Sequence, residues 1–381
     1  MKRNYYIFSA GKLMRKENTI FFLPAKEEKA TNAQQTDQEI KPLPESEMQD
    51  ESKEEILTET FSEEQKEEQK QTFDGNKKVI PIEDIESFYC FASINFNSRL
   101  LQFLTKYRIP LHIFNHHGYY DGSYYPREYL QSGFLVVNQV KHYLDSQKRL
   151  AIARELIHAA SFNILKNLRY YNSRECDLES YIAYIETERN KIQDAQDIPH
   201  LMGIEGRIRD KYYETWNIIL KPQGETFKLY ERNRQPPLNA INALISFGNA
   251  LVYTASLCEI YRTQLQPTIS FLHEPGERRF SLSLDIAEIF KPLFTDRIIF
   301  KLLNQNIIQE KHFDQNMNYC YLKEEGRKIF VKEFEEKLTT TIKHRKLKRD
   351  VSYRRLIRME CYKLIKHLVE EIPYEGFQIW W

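Results

Sequence analysis

The sequence predicts an α+β protein in which a small β-rich N-terminal domain, residues 1–126, precedes a larger all-α domain, residues 132–381. Short alternating or continuous apolar runs, which are typical of strands, dominate the first 126 residues. From residue 132 onward, apolar residues recur mostly at helical spacing. A chain of 381 residues is also long enough to form two domains with substantial cores.

The N-terminal domain is predicted from its apolar runs and from the turn residues between them. The helix is placed before Pro110, because the residue that precedes a proline disfavours helical backbone. His116, His117 and Gly118 connect the last two strands. The predicted elements are a hairpin of strands 5–8 and 19–23 joined by the polar residues 11–18, a strand at 82–92, a helix at 98–107, and strands at 111–114 and 119–125.

Residues 26–77 differ from the rest of the chain in composition. They contain 16 Asp and Glu, 7 Lys and few large apolar residues. Such a segment cannot bury enough apolar surface to offset the entropy lost on ordering, so we predict a mostly disordered acidic insertion in the N-terminal domain. The insertion carries a net charge of −9, and the remainder must carry +10 to give the total of +1. The body of the protein is therefore basic and suited to polyanions.

The larger domain is predicted to be helical almost throughout. One helix begins after Asp197, because Pro199 then falls in its first turn, where proline is favoured. Another is expected to end before Pro292. The predicted helical segments are 133–171, 177–193, the helix after Asp197, 238–261, 281–290, and the increasingly basic remainder, 296–367.

Composition excludes several classes of protein. The five cysteines are odd in number, scattered and never spaced as CxxC, so neither a disulfide framework nor a thiolate zinc site is expected, and the cytoplasm is the expected compartment. No run approaches the roughly 18 apolar residues of a membrane span, so no membrane association is expected. Glycine is scarce, and neither GxGxxG nor GxxxxGK[ST] occurs, which argues against a nucleotide-binding loop.

Four residues form the candidate catalytic centre: Glu205, His273, Asp285 and Glu288. Asp285 and Glu288 are three residues apart and therefore share one face of a helix. His273 lies just upstream, and Glu205 lies on a separate predicted helix. Carboxylates and an imidazole suit a divalent cation with open coordination positions. In a protein with basic helices, such a site indicates phosphodiester chemistry on nucleic acid.

Each of these residues also has an ordinary structural explanation. Glu205 and Arg209 are spaced i,i+4 and suit a surface ion pair. His273 can be a hydrogen-bonded structural residue. Asp285 and Glu288 can stabilise a helix N-terminus through its dipole, with Ser281 or Ser283 as the cap. Each structural explanation is the more common one when taken alone, but together the three must be independent coincidences, whereas one metal site accounts for all four residues.

A second set of candidates would contact DNA. Residues 343–358 are densely basic and, in a helix, would present charge on more than one face; the alternative is a solvated helix surface. Arg232 and Arg234 precede two prolines that stiffen a loop, and the alternative there is a rigid connection to a core helix. The candidates in the basic run are Lys343, Arg345, Lys346, Lys348, Arg349, Arg354 and Arg355.

Several stretches, in this order, resemble the CRISPR-associated integrase family, Cas-one, which is the catalytic subunit of the spacer-acquisition complex. The resemblance covers essentially the whole chain except residues 26–77 and the last dozen or so, and it looks nearest to the subtype I-B branch. The stretches are IEDIESFYCFASINFNSRLLQFL, LHIFNHHGYYDGSYYP, LMGIEGRIRDKYY, RNRQPPLNAINALISFGN and FLHEPGERRFSLSLDIAEIFKP.

The resemblance implies roles for individual residues. Glu205, His273 and Glu288 match the family's metal ligands, which implies Mg²⁺ or Mn²⁺ as cofactor. Asp285 matches an acidic residue that assists catalysis or tunes the site. Tyr253 resembles a family tyrosine near the active site, and so it joins the DNA-contact candidates.

The resemblance also implies an activity and partners. The activity is a metal-dependent DNA endonuclease and integrase that inserts short foreign fragments into a CRISPR array by transesterification, as part of antiviral immunity. The partners are double-stranded DNA (protospacer and repeat), a second copy bound through the N-terminal domain, and the small ferredoxin-like Cas-two subunit. Arg209 stands where many members have a small residue, although the subtype I-B branch looks similar there. Two other functions stay open: a non-catalytic DNA-binding scaffold, and a general metallonuclease on branched DNA.

Overall fold

The computed structural model describes residues 2–25, 77–127, 129–174, 176–221, 225–234, 236–276, 280–370 and 372–381. A small β-rich N-terminal region precedes a predominantly helical region, which confirms the predicted α+β fold class. The prediction of a disordered insertion at 26–77 lies, up to residue 76, outside the described residues.

The described part of the N-terminal region forms two four-stranded sheets and one helix. The strand orders are β1-β5-β7-β8 and β4-β3-β2-β6. Helix α1 begins after Asn97, whose side chain accepts a hydrogen bond from the Leu100 amide, and it ends at Arg108, which has a left-handed backbone. The elements are β1 (Arg3–Ile7), β2 (Gly11–Lys16), β3 (Thr19–Pro24), β4 (Lys78–Pro81), β5 (Ile85–Cys90), β6 (Ile94–Asn95), α1 (Ser98–Tyr107), β7 (Leu111–Phe114) and β8 (Tyr120–Tyr124).

The first predicted hairpin is wrong in its pairing. Strand β3 pairs antiparallel with β2, whereas β1 pairs parallel with β5 in the other sheet. The residues expected to be a polar connection contain strand β2, in which Leu13 is completely buried. Leu13 lies between charged and flexible neighbours, so the alternation that marks a half-buried strand is weak in the sequence.

The β1-β5-β7-β8 sheet separates two hydrophobic cores and contributes side chains to both. Along β5 and its end, Phe88 and Cys90 belong to the N-terminal core, whereas Tyr89 and Phe91 belong to the core of the helical region. Successive side chains of a strand point to opposite faces, so one strand serves both cores. The Phe91 ring lies 5.9 Å from that of Phe247 in the helical region. Burial on both faces therefore fixes the N-terminal region against the helices.

The described residues of the helical region form helices α2 to α11 and four short strands. Strands β9 and β10 pair with each other, as do β11 and β12. The elements are α2 (Gly133–Leu144), α3 (Ser146–Asn172), α4 (Glu179–Asn190), α5 (Ile198–Glu214), α6 (Trp216–Ile219), α7 (Ala240–Tyr261), α8 (Ser281–Phe290), α9 (Arg297–Asn304), β9 (Phe313–Gln315), β10 (Cys320–Leu322), α10 (Glu324–Thr339), β11 (Thr341–Lys343), β12 (Asp350–Ser352) and α11 (Tyr353–Glu370).

The helix predicted at 133–171 is divided at Asp145. This residue has extended backbone, and its carboxylate accepts hydrogen bonds from the amides of Gln147 and Lys148, both at 3.0 Å. Aspartate is a favoured N-cap because it satisfies otherwise unpaired amides of the first turn. A single capping residue therefore ends α2 and begins α3 within an otherwise continuous helical pattern.

Helix α8 ends at Phe290 as predicted, but the helical path continues past Pro292. A π-helical turn, Pro292–Asp296, joins α8 to α9, and the Asp296 amide donates to the carbonyl of Lys291, five residues earlier. A proline inside a helix lacks an amide and crowds the preceding turn, and a wider π turn accommodates it. Asp296 is consequently held close to the residues that α8 carries.

The basic run is not the single helix that was predicted. Its first part forms the hairpin β11–β12, with Lys348 at φ +54° in the connection, and α11 begins only at Tyr353. Strand prediction depends on alternating apolar residues, and this segment, which is rich in arginine and lysine, has few of them.

Helix α7 is the core helix of the region. Within the described residues, it is the one helix long and apolar enough to cross a membrane, but 78% of its most apolar stretch is buried inside the protein. Asn239 caps its first turn by accepting a hydrogen bond from the Asn242 amide at 3.0 Å. Burial within the protein accounts for its apolar sequence.

Candidate metal centre

Three separate segments supply the residues that the sequence singles out. Helix α5 carries Glu205, the loop after α7 carries His273, and α8 carries Asp285 and Glu288. Asp197 caps α5 by accepting a hydrogen bond from the His200 amide at 2.7 Å, which fixes where the helix begins. Helix α3 packs against both α5 and α8 and so holds them side by side.

Asp285 fixes the loop that carries His273. Its completely buried carboxylate accepts hydrogen bonds from the amides of Phe271, Leu272 and His273 at 2.7, 3.0 and 3.0 Å. The Nδ1 atom of His273 donates to the same carboxylate at 2.8 Å. No side chain caps α8, so Ser281 and Ser283 do not play the capping role considered for them. Asp285 therefore sets both the position of the imidazole and the tautomer that leaves Nε2 as acceptor.

The charge of Asp285 also changes the titration of His273. Burial disfavours the imidazolium, but the hydrogen bond and charge of Asp285, together with the charge of Glu288, raise the pKa of His273. Glu288 lies one turn after Asp285 on the same face of α8. The loop and α8 thus bring His273 towards Glu288 as well as Asp285.

One guanidinium joins Glu205 to Glu288. The Nε atom of Arg209 donates to Oε1 of Glu205 at 3.0 Å, and an Nη atom of Arg209 donates to Oε2 of Glu288. The predicted i,i+4 ion pair is present, but its two side chains are only 26% and 15% exposed. Two carboxylates from different helices therefore converge on one cationic group.

Lys291 adds a second cation to the centre. Its ammonium group pairs with Oε1 of Glu288, three residues earlier on the same helix. Burial opposes ionisation of Glu288, but the charges of Lys291 and Arg209 prevail and hold its pKa well below the ordinary value. Glu288 is therefore ionised at neutral pH and carries the negative charge that a cation ligand requires.

Asp296 is a further acidic residue that sequence reasoning missed. It is buried, it accepts a hydrogen bond from the Tyr212 hydroxyl at 3.0 Å, and its charge interacts with those of Arg209, Lys291 and Glu288. Burial raises the pKa of Asp296 to about 7, although Arg209 and Tyr212 oppose the shift. Because a helix end was predicted before Pro292, Asp296 was not expected to lie near Glu288.

The donor set fits a divalent cation. Two carboxylates already share one cationic partner, and Asp285 leaves Nε2 of His273 as a nitrogen ligand. A carboxylate hydrogen-bonded to the other ring nitrogen is the usual support of a metal-binding histidine. Within the described residues, no three acidic, histidine or cysteine side chains are already gathered as a metal site. Arg209 and Lys291 take up the carboxylate oxygens instead.

The candidates for DNA contact on the 232–234 loop and α7 differ in exposure. Arg232 is partly buried and donates to Asn242 and Ser246 of α7, each at 2.9 Å, so it anchors the loop. Arg234 is exposed. The hydroxyl of Tyr253 accepts a hydrogen bond from the Phe280 amide at 3.2 Å, immediately before α8. Tyr253 thus supports the helix that carries Asp285 and Glu288.

The basic hairpin is exposed. Arg345 extends to the chain terminus, where it donates to the carbonyl of Trp380 at 2.9 Å. Arg355, on the first turn of α11, is also exposed. The exposed cations on the hairpin itself are Lys343, Arg345, Lys346, Lys348 and Arg349.

Arg354 differs from the hairpin cations because its side chain is only 13% exposed. It pairs with Oε1 of Glu335 at 2.7 Å, and the other oxygen of Glu335 accepts hydrogen bonds from Tyr6 and Asn4, each at 2.9 Å. This network ties β1 to α10 and α11. The structure thus places Arg354 in an internal ion pair.

Comparisons with known proteins agree on one family. A family model described as CRISPR associated protein Cas1 matches residues 58–336. The CRISPR-associated endonuclease Cas1 of Fusobacterium nucleatum is 45% identical over 381 residues, covering 100% of this chain and 98% of that protein. The structure of a Cas1 protein from Thermotoga maritima is similar with a TM-score of 0.77 and 36% identity, covering 98% of this chain and 100% of that one.

A more distant likeness concerns the fold alone. A casposase bound to integration product has a TM-score of 0.75 at 17% identity, covering 99% of this chain and 93% of that one. The resemblance stated from the sequence motifs is confirmed, whereas the subtype I-B branch stays a prediction. With a family model that matches most of its length and a relative 45% identical from end to end, this chain belongs to the Cas1 family of CRISPR-associated proteins.

Proposed function

We propose that this protein is a metal-dependent DNA endonuclease and integrase that inserts short foreign DNA fragments into a CRISPR array by transesterification. The observation that carries the proposal is the convergence of Glu205 and Glu288 on one guanidinium, beside a histidine fixed by Asp285. Residues far apart in the chain form this centre, and their donor atoms are those of a divalent-cation site.

The chain's own residues have distinct tasks in this reaction. Glu205, Glu288 and Nε2 of His273 would hold Mg²⁺ or Mn²⁺, and Asp285 would keep the imidazole oriented. When bound, the cation polarises a phosphoryl oxygen and favours ionisation of the attacking hydroxyl. In the strand transfer, a 3′-hydroxyl of the incoming fragment forms a new phosphodiester with the target strand, and the broken bond leaves a 3′-hydroxyl. Because one phosphodiester replaces another, no nucleotide cofactor is required.

The donor set also bears on the choice of metal. Mg²⁺ prefers oxygen ligands in a near-ideal octahedron, whereas Mn²⁺ accepts an imidazole more readily. We expect Mn²⁺ to bind more tightly in vitro and Mg²⁺ to serve in the cytoplasm because of its abundance.

The proposed partners follow from the family and from the charge distribution. The basic body of the chain, at +10 outside residues 26–77, suits the phosphates of a protospacer and of a CRISPR repeat. A second copy of the chain and the small ferredoxin-like Cas-two subunit complete the proposed complex. The acidic insertion lies between β3 and β4, where it would affect docking at the N-terminal region.

The proposal is tested by strand transfer with purified protein, a labelled DNA fragment and a target that carries a repeat. We expect joined product only with added Mn²⁺ or Mg²⁺ and none with EDTA, because the carboxylates cannot activate the phosphodiester alone. DNA binding without metal-dependent joining or cleavage would favour the non-catalytic scaffold. Faster cleavage of branched DNA than joining to the repeat would favour a general metallonuclease.

DNA affinity should depend steeply on salt through the exposed hairpin. Because each lost phosphate contact lowers the magnitude of the negative slope of log K against log salt by about 0.9, Lys343→Ala/Lys346→Ala should make the slope shallower by roughly 2. Arg354→Ala is the matched control, because its guanidinium is engaged by Glu335. It should lower thermal stability but leave the slope unchanged. Identical slopes for wild type and the double variant in fluorescence-anisotropy titrations would remove the hairpin from the DNA interface.

A further inference from the structure

Arg209 stands at the position where the proposed cation would be held. Its guanidinium donates to Oε1 of Glu205 at 3.0 Å and to Oε2 of Glu288, so it bridges helices α5 and α8. The Arg209 side chain is only 15% exposed and that of Glu288 only 9%. Water therefore screens this ion pair less than it screens a surface pair, and the contact is a substantial one.

A divalent cation would compete with Arg209 for these oxygens. The cation requires carboxylate lone pairs that the guanidinium now occupies. Its two positive charges, placed next to Arg209, would also repel the guanidinium strongly in a partly buried site. Coordination through Oε1 of Glu205 and Oε2 of Glu288 would therefore displace Arg209.

Asp296 offers the displaced guanidinium a second acceptor. It is buried, and it accepts a hydrogen bond at 3.0 Å from the hydroxyl of Tyr212, which lies one turn after Arg209 on α5. The π-helical turn Pro292–Asp296 places it after Glu288 along the same helical path. A carboxylate outside the proposed cation site thus contacts the same helix that carries Arg209.

We propose that Arg209 is a positioning residue that holds Glu205 and Glu288 together in the metal-free protein and is displaced towards Asp296 when a divalent cation binds. The inference rests on the proposed function, because it requires the centre to bind a metal. If so, Arg209 competes with the cation for the carboxylates. This competition sets the metal concentration at which the centre is half-saturated. It also keeps two carboxylates from repelling each other before the metal arrives.

Mn²⁺ binding measured by isothermal titration calorimetry on the full-length protein tests the competition. Removal of a buried charge competitor predicts that Arg209→Ala binds Mn²⁺ roughly tenfold more tightly than wild type. The same variant should melt at a lower temperature without metal but close to wild type at saturating Mn²⁺, because Arg209 stabilises only the metal-free state. Arg207→Ala is the matched control: Arg207 lies on the same helix and pairs with Glu188 at 2.8 Å, away from the centre, so Mn²⁺ affinity should not change.

Asp296→Asn gives the opposite sign. Asparagine retains an acceptor for the Tyr212 hydroxyl but removes the charge that receives Arg209. In titrations above the Asp296 pKa of about 7, where the carboxylate is ionised, Mn²⁺ should therefore bind about fivefold more weakly, which is about 1 kcal/mol. In Arg209→Ala/Asp296→Asn, that loss should disappear, because no guanidinium remains to be received. If Asp296→Asn weakens binding equally in both backgrounds, Asp296 acts on the cation directly and the displacement is wrong.

Two results separate this inference from the proposed function. Wild type that binds no Mn²⁺ at any concentration would defeat the proposed function itself. Wild type that binds Mn²⁺, together with Arg209→Ala that binds it equally or more weakly, would overturn only the role given to Arg209. Should Arg209→Ala fail to fold, Arg209→Lys replaces it. A lysine ammonium can pair with only one of the two carboxylates at a time. The Mn²⁺ affinity of Arg209→Lys should therefore lie between that of wild type and that of a site with no competing cation.

Discussion

Glu205→Gln is expected to lower the rate of strand transfer by about 10³-fold, the size of effect produced by about 4 kcal/mol of lost transition-state stabilisation. Glutamine is isosteric and still accepts a hydrogen bond from Arg209, but it lacks the charge that a divalent cation requires. Because Glu205 is partly exposed and makes its contact on the surface of α5, the fold should persist. Joining rates, melting temperature and DNA affinity are measured on the same preparation.

The matched control is Glu214→Gln on the same helix. Glu214 pairs with Lys211 at 2.7 Å on the exposed face of α5 and is half exposed. The joining rate of the Glu214→Gln variant should therefore equal that of wild type. His273→Ala should behave like Glu205→Gln in the joining assay. Wild-type turnover by either Glu205→Gln or His273→Ala would remove that residue from the catalytic centre.

Asp285→Ala is expected to cost both activity and stability. The change leaves the amides of Phe271, Leu272 and His273, and Nδ1 of His273, without the carboxylate that now accepts all four hydrogen bonds. Buried donors without an acceptor are costly, so the free energy of unfolding should fall by about 3–5 kcal/mol. Urea denaturation followed by circular dichroism measures the loss as a lower midpoint.

Asp285→Asn refines this prediction. Its single carbonyl oxygen replaces only part of the carboxylate, because the amide nitrogen faces donors rather than acceptors, so its stability should lie between those of wild type and alanine. Asp210→Ala, at an exposed position on α5, should leave the urea midpoint unchanged. An alanine variant at 285 with a wild-type midpoint would contradict the role of Asp285 in holding the loop.

The contrast between Glu205 and Asp285 shows what the sequence could predict about the centre. Residue type and spacing, together with the family resemblance, singled out both carboxylates, His273 and Glu288. Their contacts were not predictable, because they depend on how a loop turns and how two helices pack. Asp285 binds three successive backbone amides, and nothing in the spacing from 273 to 285 indicates which carboxylate oxygen meets which amide.

Arg209 illustrates the same limit at longer range. The i,i+4 pair with Glu205 follows from helical geometry and is present. The contact with Glu288, 79 residues later in the chain, depends on the packing of α3 against both α5 and α8. Asp296 was missed because proline usually interrupts a helix, whereas here a π turn carries the helical path past Pro292.

Elements with strong periodicity were predicted better than elements rich in lysine and arginine. Helix α1 agrees with the predicted range, and α5 begins after Asp197 as expected. Strand β2 and the hairpin β11–β12 were missed, because charged residues on their exposed faces leave few apolar positions to mark a strand. For this reason the prediction of one helix over 343–358 is wrong. Arg354, named as a candidate for DNA contact, is not among the exposed cations of this segment.

The central claim is that side chains from α5, α8 and the loop after α7 hold one divalent cation. Anomalous X-ray diffraction at the manganese edge, from crystals of the protein grown with Mn²⁺, tests it most directly. The account predicts one anomalous peak bound by the carboxylates of Glu205 and Glu288 and by Nε2 of His273, with Arg209 withdrawn from both carboxylates. A peak elsewhere, or no peak at saturating Mn²⁺ with Arg209 still between Glu205 and Glu288, would contradict it.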